Sequence, residues 1–195
     1  MKKNIFYLSC IALLFSSCIK QLEKTYTGKA VAEIDATPLN SNAVGVNFPI
    51  LTRVIPEGRP VSTTVDSTLR RFAKTVKVRV NLVGPQSDKE ETVGYKVVGS
   101  PITSISFPAT ISGQTPSRAA GTLNVSDAIA GTHYTALSGR VTIPAKSSFG
   151  YIDIQVLEGS AIAGQARYIG IRLDSSGTIM PSVNYAQLGL VIDQR

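Results

Sequence analysis

The chain has 195 residues, of which 43% are hydrophobic and 17% charged, and it contains no tryptophan. These values exclude a disordered or fibrous chain and fit one globular domain, which at this length buries about 70% of the surface that the unfolded chain exposes. The formal net charge is +7, but the basic residues are scattered, and Arg70–Arg71 is the only adjacent basic pair beyond the N-terminal segment. Nucleic-acid binding needs a clustered basic stripe with stacking aromatics, so we expect no nucleic-acid partner.

The first residues have the organisation of a secretory signal peptide. Lys2 and Lys3 precede an apolar run over residues 5–15. This run is shorter than the roughly 20 apolar residues that span a bilayer, and a basic start followed by a short apolar core is typical of a signal sequence. The sequence therefore predicts export from the cytoplasm.

Small residues stand directly before a cysteine at the end of this segment. The run Phe15, Ser16, Ser17, Cys18 resembles the lipobox of bacterial lipoproteins, with phenylalanine where leucine is more usual. The resemblance implies that Cys18 is the lipid attachment site and carries palmitate-type acyl chains, several of which together give stable anchoring. Two alternatives are Cys10, which would be removed with the signal, and a plain secretory signal with an incidental cysteine.

Both cysteines of the chain lie in this segment, so the body can have neither a disulfide nor a thiolate metal site. The sequence divides into a signal peptide (1–17), the acylated cysteine with a polar tether (18–24) and a single domain (25–195). Surface-exposed lipoproteins of the Bacteroidota often carry acidic residues directly after the acylated cysteine, and Ile19 and Lys20 depart from this pattern. We expect an outer-membrane lipoprotein and leave its periplasmic or surface face open.

Alternation of apolar and polar residues with a period of two runs through the body, and sustained helical spacing is absent. It is clearest over Phe72 to Val83. In the second strand of Gly131 to Leu157, one face carries Ile152, Ile154 and Val156, and the other carries Tyr151, Asp153 and Gln155. About eight short strands with Gly/Pro turns predict an all-β sandwich. The expected strand segments, in chain order, are 26–34, 44–55 (an edge, because of Pro49), 61–69 (weak), 72–83, 93–97, 121–125, a strand ending at Pro144, 151–156, 167–173 and 188–192.

Two connections carry specific expectations. The charged turn 84–91 is expected to join its flanking strands as a hairpin. The segment 99–120 is rich in Ser, Pro, Thr and Gly, so it is expected to be a long loop or insertion, with Ile105 and Phe107 placed against the core.

From about Thr75 to the C-terminus the order of elements resembles Calx-β-like domains, most closely those of Bacteroidota lipoproteins. The pieces that carry the resemblance are TVKVRVNLVGPQ, AGTHYTALSGRVTIPAKSSFGYIDIQV, RYIGIRLDSSG and LGLVID. The resemblance implies an immunoglobulin-like sandwich of seven or eight strands and says little about activity. Because some such lipoproteins belong to glycan-uptake systems, it also implies a glycan-binding accessory lipoprotein as one alternative.

A calcium site is the second alternative. In Calx-β domains that bind calcium, an acidic residue commonly occupies the place of His133, and an imidazole is a poor ligand for this cation. Asp127, Asp153 and Glu158 lie nearby in the sequence and define the residual candidate. The other interpretation is that His133 caps the turn and Tyr134 packs in the core.

The sequence offers no catalytic set. His133 is the only histidine, and the GxSxG nucleophile elbow does not occur. Glu90 and Glu91 are adjacent, so on a strand they would point to opposite faces, whereas glycoside hydrolysis needs two carboxyls facing one bond. They are expected in a solvated turn. No enzyme activity, metal or cofactor is therefore expected.

Carbohydrate binding would use tyrosine rings as stacking surfaces. A glycan-binding protein should place two or three tyrosines on one exposed face, whereas a structural module should bury them. The candidates are Tyr26, Tyr95, Tyr134, Tyr151, Tyr168 and Tyr185. The sequence favours a non-enzymatic envelope lipoprotein, anchored at Cys18, that acts as a binding or structural module toward an envelope protein or a glycan.

Overall fold

The computed structural model describes residues 28–35, 45–54 and 62–195. The signal peptide, Cys18 and Tyr26 lie outside the described residues. In chain order the strands are β1 (Val31–Ile34), β2 (Ile50–Leu51), β3 (Lys74–Val83), β4 (Glu91–Val98), β5 (Ser104–Phe107), β6 (Gly121–Asp127), β7 (Arg140–Ile143), β8 (Phe149–Val156), β9 (Gln165–Asp174), β10 (Met180–Pro181) and β11 (Gln187–Asp193).

These strands form two sheets, which confirms the predicted all-β sandwich. The smaller sheet has the order β10-β1-β3-β8, and the larger has the path β2-β11-β9-β4-β7 with β5 and β6 attached through β9. The described ranges contain eleven strands and no helix, and β2 and β10 are only two residues long. Consequently no described segment is a helix that could cross a membrane.

The main core lies between the two sheets and follows from the predicted alternation. On β3 the side chains of Val76, Val78 and Val80 are buried, and Ile152 and Ile154 are buried opposite them on β8. The larger sheet contributes the inward residues of β4, β7, β9 and β11. β3, β7 and β8 therefore have one buried face, as a period of two requires. In contrast, β9 and β11 have buried residues on both faces.

A second, smaller core covers part of the outer side of the larger sheet. It consists of Ile50, Ile102, Ile105, Phe107, Leu123, Ala166, Tyr168 and Val191. The segment 99–120, expected to be a loop, thus contributes strand β5 as well as the predicted contacts of Ile105 and Phe107. The short segment Ser104–Phe107 forms a strand because it pairs with β6. In this pairing Phe107 lies opposite Gly121.

Two expectations about connectivity are wrong. β3 and β4 do not form a hairpin, because β3 pairs with β1 and β8 in the smaller sheet while β4 pairs with β7 and β9 in the larger one. The turn 84–91 therefore crosses between the sheets. Over 62–69, no continuous strand forms in place of the expected weak one; this segment makes isolated bridges, including Thr68 with Arg53.

The stretch from β7 to β8 also crosses between the sheets. The chain turns after Pro144 through Lys146, which adopts a φ of 60° and donates its backbone N–H to the Ser87 carbonyl. Gly150 is required at the crossing, because a Cβ atom there would lie 3.0 Å from the carbonyl carbon of Thr142. This close approach places β8 at the edge of the smaller sheet beside β7.

Candidate functional site

The outer face of the smaller sheet carries a ladder of paired side chains on β3 and β8. Thr75 donates its hydroxyl to Gln155 at 2.6 Å, and Lys77 lies 3.8 Å from the Asp153 carboxylate. These pairs are directly opposite in the strand register. We call the outward side chains of β3 and β8 the paired face.

Aromatic rings continue this ladder toward the start of β8. The Arg79 guanidinium carbon lies 4.0 Å from the centroid of the Phe149 ring, and the Arg79 Nε donates to Asn81 at 2.8 Å. The Lys77 ammonium lies 5.3 Å from the centroid of the Tyr151 ring. Phe149 and Tyr151 themselves pack edge to face, with centroids 5.5 Å apart. Cations therefore cover a face of each ring.

An apolar row borders the paired face. Val31 on β1 pairs with Val83 on β3 and with Met180 on β10, all pointing outward. Met180 and Val83 are 54% and 38% exposed. The outer side of the smaller sheet thus joins an apolar strip to a polar and aromatic one.

The five candidate tyrosines that the structure describes do not converge. Tyr95, Tyr134 and Tyr168 are buried, Tyr185 is exposed in the loop before β11, and Tyr151 is half-buried on the paired face. The described residues therefore lack the exposed face of two or three tyrosines that a sugar-stacking site requires.

His133 caps a turn, as predicted. Its Nδ1 accepts the backbone N–H of Ile129 at 2.9 Å. Burial lowers the pKa of His133, and the nearby Arg167 lowers it further. Tyr134 packs in the main core, where burial raises its pKa. The only imidazole of the chain is therefore neutral at physiological pH and uses one nitrogen structurally.

Of the three acidic candidates for calcium, Glu158 is exposed and the other two have separate partners. Asp127 accepts the backbone N–H of Ser100 at 2.7 Å, while Asp153 faces Lys77 on the paired face. Within the ranges that the structure describes, no three His, Cys, Asp or Glu side chains come together as a metal site.

Both glutamates are expected in a solvated turn, but only Glu90 is exposed, and Glu91 is buried. The Glu91 carboxylate accepts the Thr178 hydroxyl at 2.6 Å and the Ser87 hydroxyl at 2.8 Å. These hydrogen bonds, the one from Thr178 first, lower the pKa of Glu91. The carboxylate therefore fastens the loop after β9 to the start of β4.

A buried ionic cluster lies near the end of β11. The Arg118 Nε is 3.5 Å from Asp193 Oδ2 and 3.9 Å from Asp66 Oδ2, and all three side chains are at most 4% exposed. Arg118 also donates to the Thr68 hydroxyl, which donates to Asp66. Arg195 makes a bidentate contact with Asp193. The cluster ties the segment before β3 and the loop before β6 to the last strand.

The chain matches no protein-family model and no curated protein. Two solved structures are similar to part of it. The apo form of a Calx CBD1 domain aligns with a TM-score of 0.39 and 18% identity, over 62% of this chain and 83% of that chain. A candidate carbohydrate-binding protein from Bacteroides ovatus aligns with a TM-score of 0.39 and 9% identity, over 63% of this chain and 32% of that chain.

This chain therefore spans about a third of the length of the Bacteroides ovatus protein. Likenesses this distant carry no argument about function. The β-sandwich is evident from the two sheets themselves, and the finer assignment to Bacteroidota lipoproteins stays a prediction.

Sequence reasoning identified the outward residues of β8, Tyr151, Asp153 and Gln155, but not their partners on β3. The missing information was the pairing itself, because Thr75 and Gln155 are 80 residues apart. Arg79 and Phe149 were not recognised as a pair for the same reason. No signal in the local pattern gives the register of strands so distant in sequence.

Proposed function

We propose that the protein is a non-enzymatic lipoprotein of the outer membrane, anchored through acyl chains on Cys18, whose sandwich presents the paired face to a protein partner in the cell envelope. The observation that carries the proposal is the ladder of cross-strand pairs on β3 and β8. Side chains already held in pairs lose little conformational freedom when a partner binds, which favours affinity.

The chemistry of the paired face favours a protein over a glycan. A sugar ring stacks its C–H face on an aromatic ring, and here Arg79 and Lys77 lie over Phe149 and Tyr151. The adjoining apolar row of Val31, Val83 and Met180 adds surface that a protein can bury. A stacked guanidinium still offers its in-plane N–H groups to carboxylates or carbonyls.

Two features support the absence of catalysis. The single histidine, His133, holds a turn through its Nδ1. Glu91, the more buried of the two adjacent glutamates, is hydrogen-bonded to hydroxyl groups on both oxygens. Neither therefore has the free geometry of a general base.

Lipid attachment is tested by metabolic labelling with a palmitate analogue, followed by fractionation of the envelope. We expect labelled protein in the outer-membrane fraction, loss of label in Cys18→Ser and full label in the matched control Cys10→Ser. Label that survives Cys18→Ser would refute anchoring at this residue.

Partner binding is tested by placing a photo-crosslinking amino acid at Gln155 on the paired face, or at Thr142 on the outer side of β7 as a control. Illumination of intact cells should give one discrete protein adduct from position 155 and none from position 142. The adduct should also be lost in Lys77→Glu and retained in Arg167→Gln, which lies on another face. Equal adducts from both positions would contradict a partner at the paired face.

A further inference from the structure

Two like charges face each other on the outer side of the larger sheet. Lys96 on β4 and Arg172 on β9 are directly opposite in the strand register, and both are exposed. Like charges at such positions destabilise a sheet. Among the described residues, neither side chain forms an ion pair with a carboxylate. Only a longer-range attraction, such as that between Lys96 and Asp174, offsets the repulsion.

A third cation lies one row away. Arg140 on β7 pairs with Gly94, and Gly94 also pairs with Asp174 on β9. Because Gly94 and Lys96 point to the same side of β4, Arg140 belongs to the same surface as Lys96 and Arg172. We call these three exposed residues, Lys96, Arg140 and Arg172, the cation triad.

One carboxylate, Asp174, lies on this surface beside the triad. Hydrogen bonds from Ser176 lower its pKa, and the nearby Lys96 and Arg140 lower it further. Asp174 accepts both the backbone N–H of Ser176 at 2.9 Å and its hydroxyl at 2.6 Å. The Asp174 Oδ1 lies over Gly94, so a Cβ atom at position 94 would clash with it. The surface therefore retains an excess of two positive charges.

The cation triad lies outside the area covered by the second core. That core packs on the start of β9, at Ala166 and Tyr168, whereas Arg172 is near the end of the same strand. β4 and β7 extend the exposed part of this face to the sheet edge. The result is an accessible and positively charged surface.

The cation triad lies toward the end of the sandwich at which β1 begins. The loop after β9 leads to β10, whose Met180 pairs with Val31, the first residue of β1. Ala186 in the same segment accepts the backbone N–H of Leu173. Cys18 is 13 residues before Val31, so even a fully extended tether holds this end within about 45 Å of the acyl chains.

We propose that the cation triad binds the anionic phospholipid headgroups of the membrane in which the chain is anchored. The inference rests on the proposed lipid anchor, which brings this end of the sandwich to the bilayer. Exposed Lys and Arg side chains adsorb to an anionic surface through long-range attraction and direct phosphate contacts. The paired face belongs to the other sheet, so this orientation turns it away from the lipid.

The test is sedimentation of the unacylated full chain, Cys18→Ser, with phosphatidylcholine vesicles that contain or lack phosphatidylglycerol. Vesicles without phosphatidylglycerol report the background from the N-terminal segment, which all variants share. We expect additional binding to the anionic vesicles that disappears at high salt. Lys96→Gln/Arg172→Gln should reduce this additional binding roughly tenfold or more, because each basic residue near an anionic surface contributes separately.

Two further variants sharpen the result. Arg70→Gln/Arg71→Gln removes the same charge at the opposite end of the sandwich and should change binding less than about twofold, since it lies beyond the Debye length. Asp174→Asn should increase binding. Thermal midpoints confirm that each variant is folded. If Lys96→Gln/Arg172→Gln unfolds, Lys96→Gln alone replaces it.

Equal loss in both double variants, or no loss in either, would overturn the inference. Preferential binding of the wild-type chain to soluble polygalacturonate over the anionic vesicles would also overturn it, in favour of an acidic glycan. Palmitate labelling of Lys96→Gln/Arg172→Gln with Cys18 intact keeps the two proposals separate. Normal label with lost vesicle binding supports the cation triad, and lost label in the wild-type chain refutes the anchor instead.

Discussion

Gly170 and Gly189 lie directly opposite each other on β9 and β11, and the ring of Tyr168 packs over both. A Cβ atom at Gly189 would lie 2.6 Å from Cε2 and 2.9 Å from Oη of Tyr168, and one at Gly170 would lie 2.9 Å from Cε1. Tyr168 is 1% exposed and belongs to the second core. The two glycines therefore create the space that this ring fills.

Gly189→Ala should destabilise the protein by about 1–3 kcal/mol, because the new methyl group forces the buried ring out of its site. The measurement is the free energy of unfolding in urea. Gly159→Ala is the matched control, since nothing lies within 4 Å of a Cβ atom there. A loss of equal size in the control would show that the ring contact is not the cause.

Tyr168→Phe should leave stability unchanged within about 1 kcal/mol or raise it slightly. The Tyr168 hydroxyl is buried without a well-aligned hydrogen bond, and removing an unsatisfied buried group costs little. Burial raises the pKa of Tyr168 to about 12, an increase that the neighbouring Gln187 side chain only partly offsets. A large loss of unfolding free energy in Tyr168→Phe would indicate that the hydroxyl is bonded.

Arg118→Met should destabilise the protein by about 3–5 kcal/mol. Removing the guanidinium leaves the buried Asp66 carboxylate without its cation and leaves Asp193 with Arg195 alone. An uncompensated buried charge costs far more than the loss of a surface pair. Arg172→Met, an exposed arginine without an ion pair, should change stability by less than about 0.5 kcal/mol. Similar urea midpoints for the two variants would contradict the role of the cluster.

His133 should make the protein less stable as the pH falls below about 6.5. Its pKa is lower in the folded chain than its ordinary value of 6.5, so the unfolded chain takes up the proton first. The stabilisation is therefore complete above the unfolded pKa and is lost as the pH falls toward the folded one. His133→Asn should flatten the profile of unfolding free energy between about pH 5 and 7. Identical slopes would refute this assignment.

Glu91 should also make the protein less stable as the pH falls, but in a lower pH range than His133. Its folded pKa is below the ordinary 4.5 because Thr178 and Ser87 donate to the carboxylate. This stabilisation is present above the unfolded pKa and is lost as the pH falls through the folded one. Thr178→Val should move the carboxyl titration, followed by NMR, back toward its ordinary pKa. Ser176→Ala, which affects Asp174 instead, should leave the Glu91 titration unchanged.

The parts of the fold that could be predicted are those set by neighbours in sequence. The inward positions of β3 and β8 follow from alternation alone, as does the burial of Ile105 and Phe107. The hairpin after β3 could not be judged correctly, because turn residues indicate that the chain reverses but not which sheet it then joins. The same limit applies to β5, whose four residues form a strand only when β6 lies beside them.

The candidate surfaces required information of the same non-local kind. Lys96 and Arg172 are ordinary strand residues until the register of β4 and β9 places them side by side. The buried cluster draws on three distant segments, at Asp66, Arg118 and Asp193, and their local sequence does not indicate it. Cys18 is the opposite case, since its signal is entirely local and lies outside the described residues.

Because β3 leads to the other sheet and pairs with a strand 80 residues further on, the sandwich closes only when most of the chain is present. β11 then aligns with β9 and β2 at the very end. Such a topology has a high contact order, which gives folding in milliseconds to seconds and a prolonged exposure of apolar strands. A chain with this topology cannot complete its core until the last strand is available, so its apolar strands are open to aggregation until β11 is in place.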